Sequence, residues 1–89
     1  MPSHETYLKR ADELAQEVID AWNASSANFT PEFSTLLHVT FLYKTAREKA
    51  ENHRAFDILS SNDEAKERAA GLMFVRAYKI YYRQAARFN

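Results

Sequence analysis

Apolar residues in this chain recur every third or fourth position rather than every second, the spacing that gathers them on one side of an α-helix. Tyr7, Leu8, Ala11, Leu14, Ala15, Val18, Ile19 and Trp22 follow this pattern. They predict a first helix over about residues 4 to 23, with Ser3 as its cap. A polar linker, Asn23 to Asn28, precedes the clearest start signal in the chain. Thr30-Pro31-Glu32 combines a capping side chain, a proline with φ preset for the first turn, and an acid at the positive helix end. The second helix then runs through Phe33, Leu36, Leu37, Val39, Phe41, Leu42 and Tyr43, apolar nearly all round, as expected of an element covered by two neighbours. From Lys44 it turns polar and keeps Ala46 and Ala50 as a thin stripe. Phe56, Ile58 and Leu59 follow, just before Ser60-Ser61-Asn62-Asp63-Glu64. Ser61 with Glu64 predicts a capping box that opens a third helix over roughly residues 62 to 88.

The fold class is therefore all-α, a three-helix bundle in a single domain over residues 1–89. Helices 2 and 3 form a long hairpin with helix 1 packed across it. With the turn centred near Ser60 and Ser61, residue i lies abreast of about 121 − i, so Ala50 meets Gly71 and Tyr43 meets Tyr78. Gly costs about 1 kcal/mol relative to Ala inside a helix, so Gly71 predicts close helix approach. Helix 1 is shorter than the hairpin arms and covers their open end, which leaves Phe56, Ile58 and Leu59 at a thinly supported tip. The alternative is a break of helix 2 near Asn52 and His53 that folds residues 54–61 back as a fourth short helix.

Composition narrows the chemistry. One glycine and two prolines leave little turn material for sheets. No cysteine excludes disulfides and thiolate sites, and no apolar run approaches the ~18 residues that span a bilayer. A cytoplasmic protein without a membrane anchor is expected. His4, His38 and His53 lack the spacing of a metal site, and His38 reads as a hydrogen-bonded core residue of helix 2. Arg47 and His53 stand at the Arg-to-His spacing of the HEPN helical ribonucleases, but two residues cover too little of the chain to place it in that family. No glycine-rich loop or nucleophile motif occurs, so the expectation is a protein that is not an enzyme and holds no cofactor and no metal.

A formal net charge of zero conceals an asymmetry. Residues 1–30 carry two basic and five acidic side chains, residues 31–67 five and seven, and residues 68–89 five and none. The last segment interleaves Arg68, Arg76, Lys79, Arg83 and Arg87 with Phe74, Tyr78, Tyr81, Tyr82 and Phe88. At 100° per residue, Ala70, Met73, Phe74, Ala77, Ile80, Tyr81, Gln84 and Phe88 are expected to face the core. Leu72, Val75, Lys79, Tyr82 and Ala86 then form an outer apolar row, with Arg76 and Arg83 alongside, the composition of an interface centre and rim. The partner-binding candidates are Leu72, Val75, Arg76, Lys79, Tyr82 and Arg83, with Phe56 and Leu59 at the tip. The expected function is a small protein-protein interaction module, homodimeric, that binds or masks a protein partner. The alternative is a small nucleic-acid-binding regulator that uses the basic aromatic helix 3.

Overall fold

The computed structural model describes residues 4–24 and 30–82. Within them three helices pack against one another and no strand occurs, so the all-α bundle is what the chain forms. Helix α1 spans His4–Ala24, α2 Pro31–Ala55 and α3 Ser61–Ala77, and α3 continues as a π-helix over Tyr78–Tyr82. The Ser3 cap, residues 25–28 of the linker and residues 83–88 of the expected third helix lie outside the described residues. Asp12 pairs with Arg47, the Lys44 ammonium donates to Gln16 Oε1, and Trp22 meets Phe41 edge to face at 6.3 Å. Helix α1 is thus antiparallel to α2. It is parallel to α3, since Leu8 lies by Gly71 and Glu17 accepts from the Tyr78 hydroxyl.

Caps set the boundaries. The Phe33 amide donates to Thr30 Oγ1 at 3.1 Å, with Pro31 in the first turn, as the start signal requires. At the other end α2 runs unbroken past Asn52, so the fold-back helix at 54–61 does not form. Asp57 adopts φ 58°, the Asp57 amide donates to the Arg54 carbonyl at 3.1 Å, and the Ile58 amide to the His53 carbonyl at 2.8 Å. These are the two bonds of a Schellman motif, with an aspartate where glycine is the usual residue. The capping box of α3 falls one residue earlier than expected. The Asp63 amide donates to Ser60 Oγ at 3.1 Å and the Ser60 amide returns a bond to Asp63 Oδ2 at 3.2 Å. This frame lets Asp63 also accept His53 Nδ1 at 2.7 Å, which joins the ends of the two helices.

The earlier turn moves the hairpin register. Phe74, not Tyr78, stacks on Tyr43, with ring centroids 5.4 Å apart and planes at 11°. Close approach at Gly71 is present, but against Tyr43 and Leu8 rather than Ala50: a Cβ placed there would lie 3.4 Å from the Tyr43 ring and 3.5 Å from Leu8. Leu8, Ala11, Ala15 and Val18 of α1, Leu36 and Tyr43 of α2, and Phe74 of α3 form the buried centre. Trp22 is only half-buried. His38 is exposed rather than in the core, because it lies across the helix from Tyr43 and Leu36. Phe41 and Leu42 each remain 45% exposed, so α2 is not covered on all sides.

Two backbone substitutions test this account. Asp57→Gly should raise stability by about 0.5 to 1 kcal/mol, because glycine enters the left-handed region without the Cβ penalty. Gly71→Ala should be neutral or stabilising by up to about 1 kcal/mol, since its methyl meets ordinary contact distances, whereas Gly71→Leu should separate α1 and α2 from α3. Urea unfolding of each variant reads the outcome. A destabilised Gly71→Ala would show that the helices approach more closely than described.

Candidate interaction surface

The inner face of α3 follows the row Glu67, Gly71, Phe74 and Tyr78, and it begins with a charge. The Glu67 side chain has no exposed surface. Its carboxylate accepts Arg47 Nη1 at 2.9 Å and Arg54 Nη2 at 3.2 Å. Arg47, whose side chain is 14% exposed, also donates through Nε to Asp12 at 3.1 Å and through Nη1 to Glu51 at 2.6 Å. Arg54 donates to Glu51 as well. The Tyr43 hydroxyl donates a hydrogen bond to Asp12 Oδ1 at 2.6 Å and lies 3.1 Å from the Leu8 carbonyl. The network thus spans all three helices. Burial and the bond to Asp12 push the Tyr43 phenol far above its ordinary range. Burial alone would lower the Arg47 value, but the Glu67 and Asp12 carboxylates outweigh it and hold the guanidinium charged.

Arg47 and His53 are consequently committed to different acids, Arg47 to the inner network and His53 to Asp63. Every buried side-chain polar atom among the described residues has a partner. No group of three His, Cys, Asp or Glu among them could hold a metal ion, and no described helix is long and apolar enough to cross a membrane.

Because Glu67 and Gly71 face inward, α3 is rotated relative to the expectation from apolar residues alone. Val75 and Tyr82, expected on the outer row, are half-buried and pack against the core. The π-helix adds to this at Tyr82: i→i+5 closure turns each residue by roughly 80° instead of 100°, which swings the later residues inward. The Tyr82 ring stacks on Tyr78 at 4.7 Å, with planes at 10°. The Tyr78 hydroxyl donates to Glu17 Oε2 at 3.0 Å. Burial and then the Glu17 carboxylate push the Tyr78 phenol up to about 12 and raise that of Tyr82. The same rotation carries Met73 and Ile80, expected in the core, to the outside, where they are 49% and 50% exposed beside Leu72 at 56%.

The outer face of α3 therefore presents Leu72, Met73 and Ile80, with Arg68, Arg76 and Lys79 bordering them. Leu72, Val75, Arg76 and Lys79 are brought together with Tyr7 and Ile80 around an open groove of about 370 Å³ along the α1–α3 side. Tyr7 and Ile80 are its unanticipated members, and Met73 is that of the exposed face. Arg83 lies outside the described residues. Phe56, 77% exposed, and the half-buried Leu59 sit with exposed Ile58 at the interhelical turn, a separate apolar cluster at the far end of α3. Searches of protein-family models, of curated proteins and of solved structures find no match to this chain.

The network and the cap predict two stability effects. Glu67→Ala takes from Arg47 and Arg54 the buried carboxylate they share, while Asp12 and Glu51 still pair with them, and should cost about 1 to 3 kcal/mol, as circular dichroism in urea would show. The His53 bond, followed by the Ser60 amide, lowers the Asp63 carboxyl to about 2 from 3.8. Its contribution is therefore full above the ordinary value and lost as pH falls from about 5 through 2. Asp63→Asn should unfold more readily than wild type at pH 6, and the gap should close as pH approaches 2. A gap independent of pH would remove the carboxylate from the acid response.

Proposed function

We propose that this chain is a protein-interaction module that binds or masks another protein through the outer face of α3, without catalysis of its own. The observation that carries the reading is one continuous helical face on which Leu72, Met73 and Ile80 are each about half exposed. Arg76 and Lys79 stand beside them with no acid to pair with among the described residues. Scattered exposed apolar residues are ordinary, but a row of large ones with an arginine border has the make-up of an interface centre. Phe56 and Ile58 at the interhelical turn offer a second apolar contact at the other end of the helix. The cytosol is the compartment that suits a chain without cysteine.

A homodimer is one form this reading takes, and a foreign protein partner the other. The second reading, a small nucleic-acid-binding regulator that uses the basic aromatic helix 3, draws on Arg68, Arg76 and Lys79, which have no ion pair among the described residues, and it requires binding that weakens steeply with salt. Leu72→Ser combined with Ile80→Ser should leave helicity intact, since both side chains are already half in water, and should weaken association by about tenfold or more. Sedimentation equilibrium of the pure chain and affinity capture from its host, each with wild type and variant, measure this. Wild type that is monomeric at micromolar concentration and retains no protein in a Leu72- and Ile80-dependent way would reduce the face to ordinary surface.

A further inference from the structure

Building on that interaction reading, we infer that the outer face of α3 receives an acidic amphipathic helix of a different protein. Charge is what selects the occupant. The other described arginines all sit in ion pairs: Arg10 with Glu13, Arg47 with Asp12, Glu51 and Glu67, and Arg54 with Glu51 and Glu67. Arg68 and Arg76 on the outer face of α3 have no ion pair among the described residues, nor has Lys79. The sequence holds no acid from residue 68 to its end. Within the described residues these cations are open to an anionic partner.

The floor between them decides what kind of anion fits. Leu72, Val75, Ile80 and Tyr7 line the groove of about 370 Å³ together with the cations Arg76 and Lys79, so three of its four uncharged members are aliphatic. Aliphatic side chains neither stack on bases nor bond to phosphate, so a nucleic acid would leave this floor unused. An amphipathic helix uses both parts, placing apolar anchors at i, i+3 or i+4 and i+7 in the groove and carboxylates against the cations. A second copy docking symmetrically by the same face cannot do this. A two-fold contact presents the same patch from both sides, so the cations of one copy would face those of the other with no acid between them.

The test uses the full-length chain and three probes. One is a synthetic 18-residue helix with leucines at helical spacing and glutamates elsewhere, the second is the same peptide with every glutamate replaced by lysine, and the third is a single-stranded oligonucleotide of similar charge. Binding is followed by fluorescence anisotropy of the labelled probe and by amide shifts of the protein. The glutamate peptide should bind at least about tenfold tighter than the lysine peptide and shift the amides of residues 68–80. Arg76→Glu together with Lys79→Glu should reverse that preference while leaving the helical spectrum unchanged. Equal binding of the two peptides, tighter binding of the oligonucleotide, or a preference that survives the charge reversal would overturn the inference. Shifts centred on Phe56 and Ile58, or self-association unaffected by the charge reversal, would overturn it as well but leave the broader interaction reading standing. Binding of no probe, with no protein partner dependent on Leu72 and Ile80, would end both.

Discussion

A carboxylate with no exposed surface in a chain of 89 residues must be matched by cations, and here the match draws on every helix. Glu67 on α3 is held by Arg47 and Arg54 of α2, and Arg47 in turn by Asp12 of α1, which also accepts a hydrogen bond from the Tyr43 hydroxyl. Apolar packing supplies most of the drive to fold but tolerates rotation of one helix against another. A buried ion pair does not, because a turn of α3 by one residue would carry the Glu67 carboxylate away from both guanidinium groups. The aromatic ladder from Tyr43 through Phe74 and Tyr78 to Tyr82 follows from the same orientation.

The outer surface is a consequence of that inner constraint. With Glu67 and Gly71 inward, Leu72, Met73 and Ile80 are turned to solvent. Residues that local hydrophobicity would bury are thus exposed by a charge on the neighbouring face. Five of the acids are engaged elsewhere: Asp12, Glu51 and Glu67 in the Arg47 and Arg54 network, Glu13 with Arg10, and Asp63 in the cap of α3. What is left along α3 is apolar and cationic together, and this supports an interaction role better than a neutral bundle surface would.

The helices and their order were legible in the sequence because caps and period agree: Thr30-Pro31-Glu32 opens α2 as expected, and α1 ends within a residue of the predicted point. The interhelical turn was legible only approximately. Two serines and two acids offer two overlapping capping boxes, and the choice of Ser60 and Asp63 depends on His53, ten residues away. Asp57 in the left-handed region gives no local signal in a chain that places its only glycine elsewhere. The rotation of α3 was misread for a physical reason: an apolar pattern scores Glu67 as outward and Met73 and Ile80 as inward. The usable clue was non-local, an acid on α3 opposite an arginine on α2. The π-helix at Tyr78–Tyr82 altered the periodicity again where the interface had been placed.

The account stands on which side of α3 faces water. Side-chain methyl resonances of the free chain at micromolar concentration, recorded with a soluble paramagnetic agent, measure that side directly. Leu72, Met73 and Ile80 methyls should be strongly broadened, while those of Leu8, Val18 and Leu36 should be spared and those of Val75 lie between. Protection of Met73 and Ile80 together with exposure of Val75 would contradict it, since α3 would then be turned with Glu67 out of the network and the apolar, cationic face would not exist.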